Sequence, residues 1–408
     1  MLYSFQIIRG GKDMEYRKPN LFYYRFAQIV SWFVATFIFK RIFIRNEIKG
    51  KKGPFVVIAN HEAAYDFSNL IGATVRPMTF VISNSFFNTL PVKKILLQMG
   101  VIPKQQFQTA IKDLKRIRAV IKQGEPVVIY PAGLMCEDGL STPIPSATYK
   151  FLKWLDTDVY IARSTGTYFV MPKWSTGFRP GKTYLDIYKL FSKEELNEID
   201  LETFKEKTDN ALLFDAYRDQ ETRLVKYKKN HIIEGLENVL YMCPHCMTEF
   251  SMRVKNGNTI YCNKCGFEQT SDEYAFFHNY RGVGKEIRYV SDWSKLIYET
   301  LKEKIRHGHE SILSAKTKIH MIDYNKSKFV EVGQGVLSLT KEHFQIDGKI
   351  HKNTVNLCIP IANFPSLPFG PGKYVEIQHG PDIYRCVLED GRLAMKYINM
   401  VKIFYELK

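Results

Sequence analysis

What constrains this chain most is a set of short apolar runs that do not alternate with polar residues: 55–59 (Phe-Val-Val-Ile-Ala), 127–130 (Val-Val-Ile-Tyr) and 159–162 (Val-Tyr-Ile-Ala). A strand with one solvated face alternates, so runs like these read as strands buried on both faces, as in parallel sheets covered by helices. Residues 78–82 supply a fourth run, and 100–104 a short one ending in a cation, Lys104. The stretches between them are helical. They are 66–74, 86–99 with a break at Leu90-Pro91, and 109–122, where Ala110, Leu114, Ile117 and Ile121 recur at helical spacing before Gly124. The expected fold over residues 51–235 is therefore α/β, a mostly parallel sheet flanked by helices, with the ends of the 55, 127 and 159 strands on one edge. At 408 residues, 45% hydrophobic and 14% aromatic, the chain has material for two or three domains with proper cores.

The edge where such sheets gather ligands receives a histidine: Asn60-His61 follows the first run, and Asp66 comes five residues later. A neutral imidazole accepts a proton near neutral pH, and a carboxylate within reach fixes its tautomer and stabilises the imidazolium. The pair fits a proton-abstracting dyad. Taken alone it also fits a surface histidine beside a helix-starting aspartate. The second run leads into Pro131-Ala132-Gly133 and the third into Arg163-Ser164-Thr165-Gly166, so three short loops are expected to line one crevice. No Gly-x-Ser-x-Gly elbow supplies a serine nucleophile.

In order, Asn60-His61-x4-Asp66, Gly100-Val-Ile-Pro-Lys104 and Val-Ile-Tyr130-Pro131-Ala132-Gly133 resemble the glycerolipid acyltransferase family typified by 1-acylglycerol-3-phosphate acyltransferase, over about residues 20–235. The resemblance implies that His61 deprotonates a glycerol hydroxyl, with Asp66 as its orienter, and that the hydroxyl attacks the thioester of acyl-CoA or acyl-carrier protein. It implies a phosphate contact at Lys104, substrate-binding roles for Asn60, Pro131 and Gly133, a lysophospholipid or other glycerolipid acceptor, and no cofactor for the transfer. The third block departs from the pattern. Where the family reads Phe-Pro-Glu-Gly-Thr-Arg, this chain has Tyr130-Pro131-Ala132-Gly133-Leu134-Met135, without the glutamate and arginine that help hold glycerol phosphate. Arg163 is a candidate substitute, or an ordinary salt-bridged residue. Glu137 and Asp138 are expected to start a loop, and Cys136 to be a small buried residue.

Net charge is +16, and residues 1–52 hold 11 Lys/Arg against 3 Asp/Glu, half of the excess in an eighth of the chain. Such a segment suits a polyanion, either nucleic acid or an anionic membrane surface. Residues 21–39 are apolar nearly all round and are followed by Lys40, Arg41 and Arg45. Arg25 and Gln28 interrupt the run, leaving it short for a span, and no small-residue cleavage site closes it. Residues 1–50 are therefore read as a membrane-associating region with an interfacial helix. The expected location is the cytoplasmic face of the cell membrane, peripheral or monotopic.

Cys243-Pro-His245-Cys246, then Cys262-Asn-Lys-Cys265 after fifteen residues, has the spacing of a four-cysteine zinc ribbon over 240–270, with Zn2+ in a structural role. Cys136, Cys358 and Cys386 show no pairing pattern, which disfavours disulfides, and four sulfurs leave His245 no place in the shell. Trp293, Leu296, Ile297, Leu301 and Ile305 then mark a helix, followed by strand-like alternation and a last helix over 393–405. Small strands closed by one helix resemble a pleckstrin-homology-like domain, here 285–408, a likeness of architecture without a motif. The resulting reading is a membrane-associated acyltransferase with zinc-ribbon and PH-like appendages. A non-catalytic lipid-binding relative competes with it because of the altered third block. A nucleic-acid-binding protein is disfavoured, since Arg253, Lys255 and Lys264 are few charges for that task.

Overall fold

The buried runs of the first half lie side by side in the computed structural model, which describes residues 18–106, 111–227, 232–361 and 364–407. The first 17 residues of the basic segment and the first two of the expected 109–122 helix lie outside the described residues. Seven strands form one sheet: β1 (Arg41–Asn46), β2 (Val56–Ala59), β3 (Thr79–Ser83), β4 (Ile102–Lys104), β5 (Val127–Ile129), β6 (Val159–Thr165) and β7 (Thr183–Phe191), in the order β1-β7-β6-β2-β5-β3-β4. Strands β2 to β6 are mutually parallel, whereas β7 runs antiparallel to β6 and carries β1 parallel to itself. The central place of β2 explains its composition. Val57 and Ala59 pack with Tyr24 and Leu70 on one face, and Val56 and Ile58 with Ile117 and Leu152 on the other. The sequence reading did not anticipate β1 or β7. The first is an exposed edge, and the second alternates buried Thr183, Leu185 and Ile187 with half-buried neighbours, a fainter signal than an unbroken apolar run.

Helix Leu21–Phe33 continues through the π-helical turn Val34–Ile38, and this stretch of 18 residues, with mean hydropathy 1.3, is long and apolar enough to cross a membrane by length and composition. It lies along the domain. Tyr24 is fully buried, its hydroxyl accepting the Met78 N–H at 2.9 Å, Arg25 donates to the Val75 carbonyl at 2.7 Å, and Gln28 donates to the carbonyls of Ile71 and Thr74 at 3.1 and 2.9 Å. The two polar residues that interrupt the run are thus the ones that tie it down. The opposite face exposes Phe22, Phe26, Ile29, Trp32, Phe33 and Phe37, and β1 adds exposed Ile42, Phe43 and Ile44.

The second half begins with a four-stranded antiparallel sheet of β8 (Met252–Lys255), β9 (Thr259–Cys262), β10 (Glu268–Ser271) and β11 (Phe277–His278). Helix Val290–Arg306 leads to β12 (Leu313–Asp323), β13 (Lys328–Leu339), β14 (His343–Ile350), β15 (Asn353–Pro360), β16 (Phe369–Gly370), β17 (Tyr374–His379) and β18 (Asp382–Leu388), an antiparallel sheet in the order β15-β14-β13-β12-β18-β17-β16. Helix Leu393–Glu406 packs against it.

One apolar core runs from Phe169 and Tyr217 of the first half, through Ile260 and Trp293, to Leu337 and Phe404. The chain that joins the two halves is part of it: Phe214, Tyr217, Tyr227, Leu236, Leu240 and Tyr241 are all buried. Separating the halves would expose these aromatic side chains, about 150–250 Å2 each, at roughly 25 cal/mol per Å2 of apolar surface.

Candidate active site

The turn after β2 brings the candidate dyad together. Asp66 opens helix Asp66–Ile71 and is 1% exposed; its Oδ2 accepts the backbone N–H groups of Glu62 (2.7 Å) and Ala63 (2.9 Å) and lies 3.1 Å from His61 Nδ1. With Nδ1 engaged, Nε2 is the nitrogen left for a substrate, and the His61 side chain keeps 21% of its surface exposed. Tyr130, at the end of β5, lays its ring on the imidazole with centroids 4.5 Å apart. Its hydroxyl is buried and has no hydrogen-bond partner among the described residues.

Asn60 is spent on the scaffold. Its Oδ1 accepts the Ser164 N–H and its Nδ2 donates to the Ser164 carbonyl, both at 2.8 Å, so the side chain extends the β2–β6 pairing by one false residue. Glu62, fully buried, accepts from Thr167 Oγ1 and from the Tyr168 N–H, both at 3.0 Å. Burial pushes the Glu62 carboxyl up to about 8, and the charge of Asp66 adds to the effect. Cys136 is buried as expected. Its N–H donates to the His61 carbonyl at 3.1 Å, and burial raises its thiol well above the usual range.

The remaining sequence-predicted residues fall at different places. Pro131 is buried, and Gly133, at φ +72°, closes a turn with its N–H on the Tyr130 carbonyl at 3.0 Å. Gln106 bridges from the end of β4, donating to the Gly133 carbonyl at 2.6 Å and accepting from Ser83 Oγ at 3.2 Å. Lys104 is half-buried, donates to the Gln105 carbonyl at 3.1 Å, and has its ammonium pKa lowered by burial. Arg163 is engaged with Asp219 at 3.3 Å, the ordinary alternative weighed for it. Glu137 and Asp138 lie in a loop, as expected, but a buried one. Glu137 is 5% exposed on its side chain and ion-pairs with Lys402, while Asp138 accepts from Ser294 Oγ at 2.5 Å.

Sequence reasoning missed Glu62, Gln106 and the ring of Tyr130 as parts of this site. Tyr130 had one available signal, as it stands where the family pattern has phenylalanine. Nothing local marks Glu62 as buried or Gln106 as a bridge.

The four cysteines converge elsewhere. Their sulfurs all lie within 4.8 Å of one another, with Cys243–Cys265 at 3.6 Å and Cys246–Cys262 at 3.7 Å. A tetrahedron with metal–sulfur bonds of about 2.3 Å has edges of about 3.8 Å, so the set fits Zn2+, and the separations are far too long for disulfide bonds of about 2.05 Å. The backbone N–H groups of His245 and Lys264 point at Cys243 and Cys262 sulfurs at 3.4 Å each, the second shell that thiolates attract.

The parallel strands of the sheet thus carry, at their carboxyl edge, a half-buried histidine held against a buried carboxylate. Residues 40–175, which contain His61, Asp66, Lys104 and the third block, match the family model Acyltransferase. No curated protein matches the chain. Among solved structures, it is similar to the 1-acyl-sn-glycerophosphate (LPA) acyltransferase PlsC from Thermotoga maritima, at 18% identity over 51% of this chain and 80% of that one, with a TM-score of 0.40.

Proposed function

We propose that the protein moves a fatty acyl group from acyl-CoA or acyl-carrier protein to a glycerolipid hydroxyl, with 1-acylglycerol-3-phosphate as the acceptor the sequence resemblance favours. The observation that carries this reading is the His61–Asp66 contact of 3.1 Å inside the matched segment, with the imidazole still open on one side. His61 Nε2 takes the proton of the acceptor hydroxyl as its oxygen bonds to the thioester carbonyl carbon. Collapse of the tetrahedral intermediate breaks the C–S bond, and the imidazolium returns the proton to the leaving thiolate. Asp66 holds the imidazole's tautomer and stabilises its charged form. Lys104 is the cation of this edge assigned to phosphate, and its partly desolvated ammonium favours an anionic partner.

The four-cysteine module is read as a zinc ribbon with a structural metal, and the seven strands and helix after it as a PH-like domain. The exposed apolar face from Phe22 to Phe37, with Ile42 to Ile44, supports seating on an anionic membrane at its cytoplasmic face, in a peripheral or monotopic manner. The altered block Ala132–Met135 keeps a second reading in view, a lipid-binding relative without turnover. Purified protein is incubated with radiolabelled acyl thioester and a panel of glycerol and lysophospholipid acceptors. Turnover that disappears in His61→Ala is expected; a wild type as inert as that variant overturns the catalytic reading in favour of the second.

A further inference from the structure

The loop that follows the third block is gripped from the far half of the chain at two adjacent residues. Glu137 pairs with Lys402 of helix Leu393–Glu406, and Asp138 takes the hydroxyl of Ser294 from helix Val290–Arg306. The residue before them, Cys136, donates its N–H to the His61 carbonyl. Three consecutive residues therefore connect two C-terminal helices to the backbone of the candidate base. Behind the loop, Gly139 at φ +87° lies so close to Tyr168 and Tyr217 that an added Cβ would meet their rings at 3.2–3.3 Å. The loop has little room to take up a displacement on that side.

Both helices are themselves fixed on the four-cysteine module. Trp293, next to Ser294, donates its indole N–H to the Met242 carbonyl at 2.9 Å and stands edge-on to Phe267 with centroids 5.6 Å apart. Lys396, less than two turns before Lys402, pairs with Glu249 at 2.6 Å, and Lys304 pairs with the same carboxylate at 2.9 Å. Burial alone would raise the Glu137 carboxyl, yet Lys402 and Lys173 hold it below its ordinary value. Taking away Lys402 leaves the buried Glu137 with Lys173 as its remaining cation and without its ion-pair partner, an imbalance that the loop relieves by moving.

We propose that Lys402 and Ser294 are positioning residues for His61, acting through Glu137, Asp138 and Cys136, so that the C-terminal half completes the active site. The kinetic arm of the test rests on the acyl-transfer reading above; the chemical arm does not. Full-length Lys402→Met, Lys402→Arg, Ser294→Ala and the exchanged pair Glu137→Lys with Lys402→Glu are compared with wild type. In assays on the acceptor that wild type uses, Lys402→Met lowers kcat by about tenfold to a hundredfold with KM within about twofold, as a misplaced base requires. Lys402→Arg recovers most of the loss, and the exchanged pair exceeds either of its single variants. In parallel, carbethoxylation of His61 by diethyl pyrocarbonate, followed on the His61 peptide by mass spectrometry, changes rate severalfold in Lys402→Met and in the milder Ser294→Ala.

Equal His61 modification rates in folded wild type, Lys402→Met and Ser294→Ala overturn the inference whether or not turnover is found. A wild-type kcat in Lys402→Met does the same. A wild type inert on every acceptor, with His61 reactivity still dependent on Lys402, sinks the acyl-transfer reading and leaves the positioning role supported.

Discussion

Asn60 bonds both the amide and the carbonyl of Ser164, 104 residues away, at 2.8 Å each. The side chain thereby plays the part of a strand residue at the place where β2 gives way to the His61 turn. Asn60→Ala removes both bonds and leaves two buried backbone groups unsatisfied, at about 1–3 kcal/mol each before relaxation. A loss of about 2–4 kcal/mol in urea unfolding is expected, together with a fall in kcat. Unchanged stability would show that the pairing carries no weight.

Asp66→Asn separates orientation from fold. The amide oxygen can keep the bonds from Glu62 and Ala63 N–H that Asp66 Oδ2 now accepts. The imidazole contact falls on that same oxygen, so keeping those bonds withdraws the carboxylate's charge from the imidazolium, while turning the NH2 toward His61 Nδ1 breaks them and imposes the tautomer whose Nε2 carries the proton. The expected result is a folded protein whose kcat is lower by on the order of 10^3 to 10^4. Thermal denaturation and kinetics on the same preparation check it.

Glu62 gives the stability profile a slope. Its folded-state carboxyl lies near 8, above the ordinary value of 4.5, so the folded state binds the proton that the unfolded state releases between these values. Its stabilising contribution is fully present below pH 4.5 and is lost as pH rises toward 8, by at most about 1.4 kcal/mol per pH unit for one proton. Glu62→Gln removes the titration. Denaturant melts from pH 5 to pH 9 should fall less steeply for the variant than for wild type, and parallel curves would contradict the assignment.

Tyr130→Phe deletes a buried hydroxyl without a partner among the described residues while keeping the ring on His61. A gain of about 1 kcal/mol is expected, since the stranded hydroxyl costs about that much or more. Turnover should stay within about threefold, because the ring contact with His61 is retained. A drop in kcat of a hundredfold would instead assign the hydroxyl to the chemistry.

Metal removal tests the cysteine cluster. A structural four-thiolate zinc site contributes on the order of 10 kcal/mol or more to the folding of a small module. Treatment with a strong chelator, or Cys265→Ser, should therefore open the β8–β9 hairpin to trypsin at Arg253 and Lys255, which are half-buried in the folded chain. Elemental analysis should return one zinc per untreated chain, and resistance to cleavage after its removal would refute the structural role.

The parts of this molecule legible in the sequence are those whose signals are local. Unbroken apolar runs put β2, β5 and β6 side by side, and fixed spacing joined His61 to Asp66 and gathered the four cysteines. The family match over 40–175 agrees with the acyltransferase resemblance in kind, though it does not name an acceptor. What was not legible depends on partners far along the chain. Glu137 and Asp138 look like solvated loop residues until Lys402 and Ser294 arrive, and nothing near Tyr227 or Leu236 announces that this charged stretch runs through a core. Arg25 and Gln28 were read as defects in an apolar helix because their acceptors, the carbonyls of Ile71, Thr74 and Val75, lie more than 40 residues away.

The pairing of Glu137 with Lys402 also sets an order of events in synthesis. The two residues are 265 positions apart, so at roughly 5–20 residues per second the acid leaves the ribosome on the order of tens of seconds before its cation exists. Throughout that interval the sheet with its His61 turn can already be paired, while Glu137 and Asp138 still lack the partners that Lys402 and Ser294 supply. The nascent chain thus carries the dyad early and its clamp late.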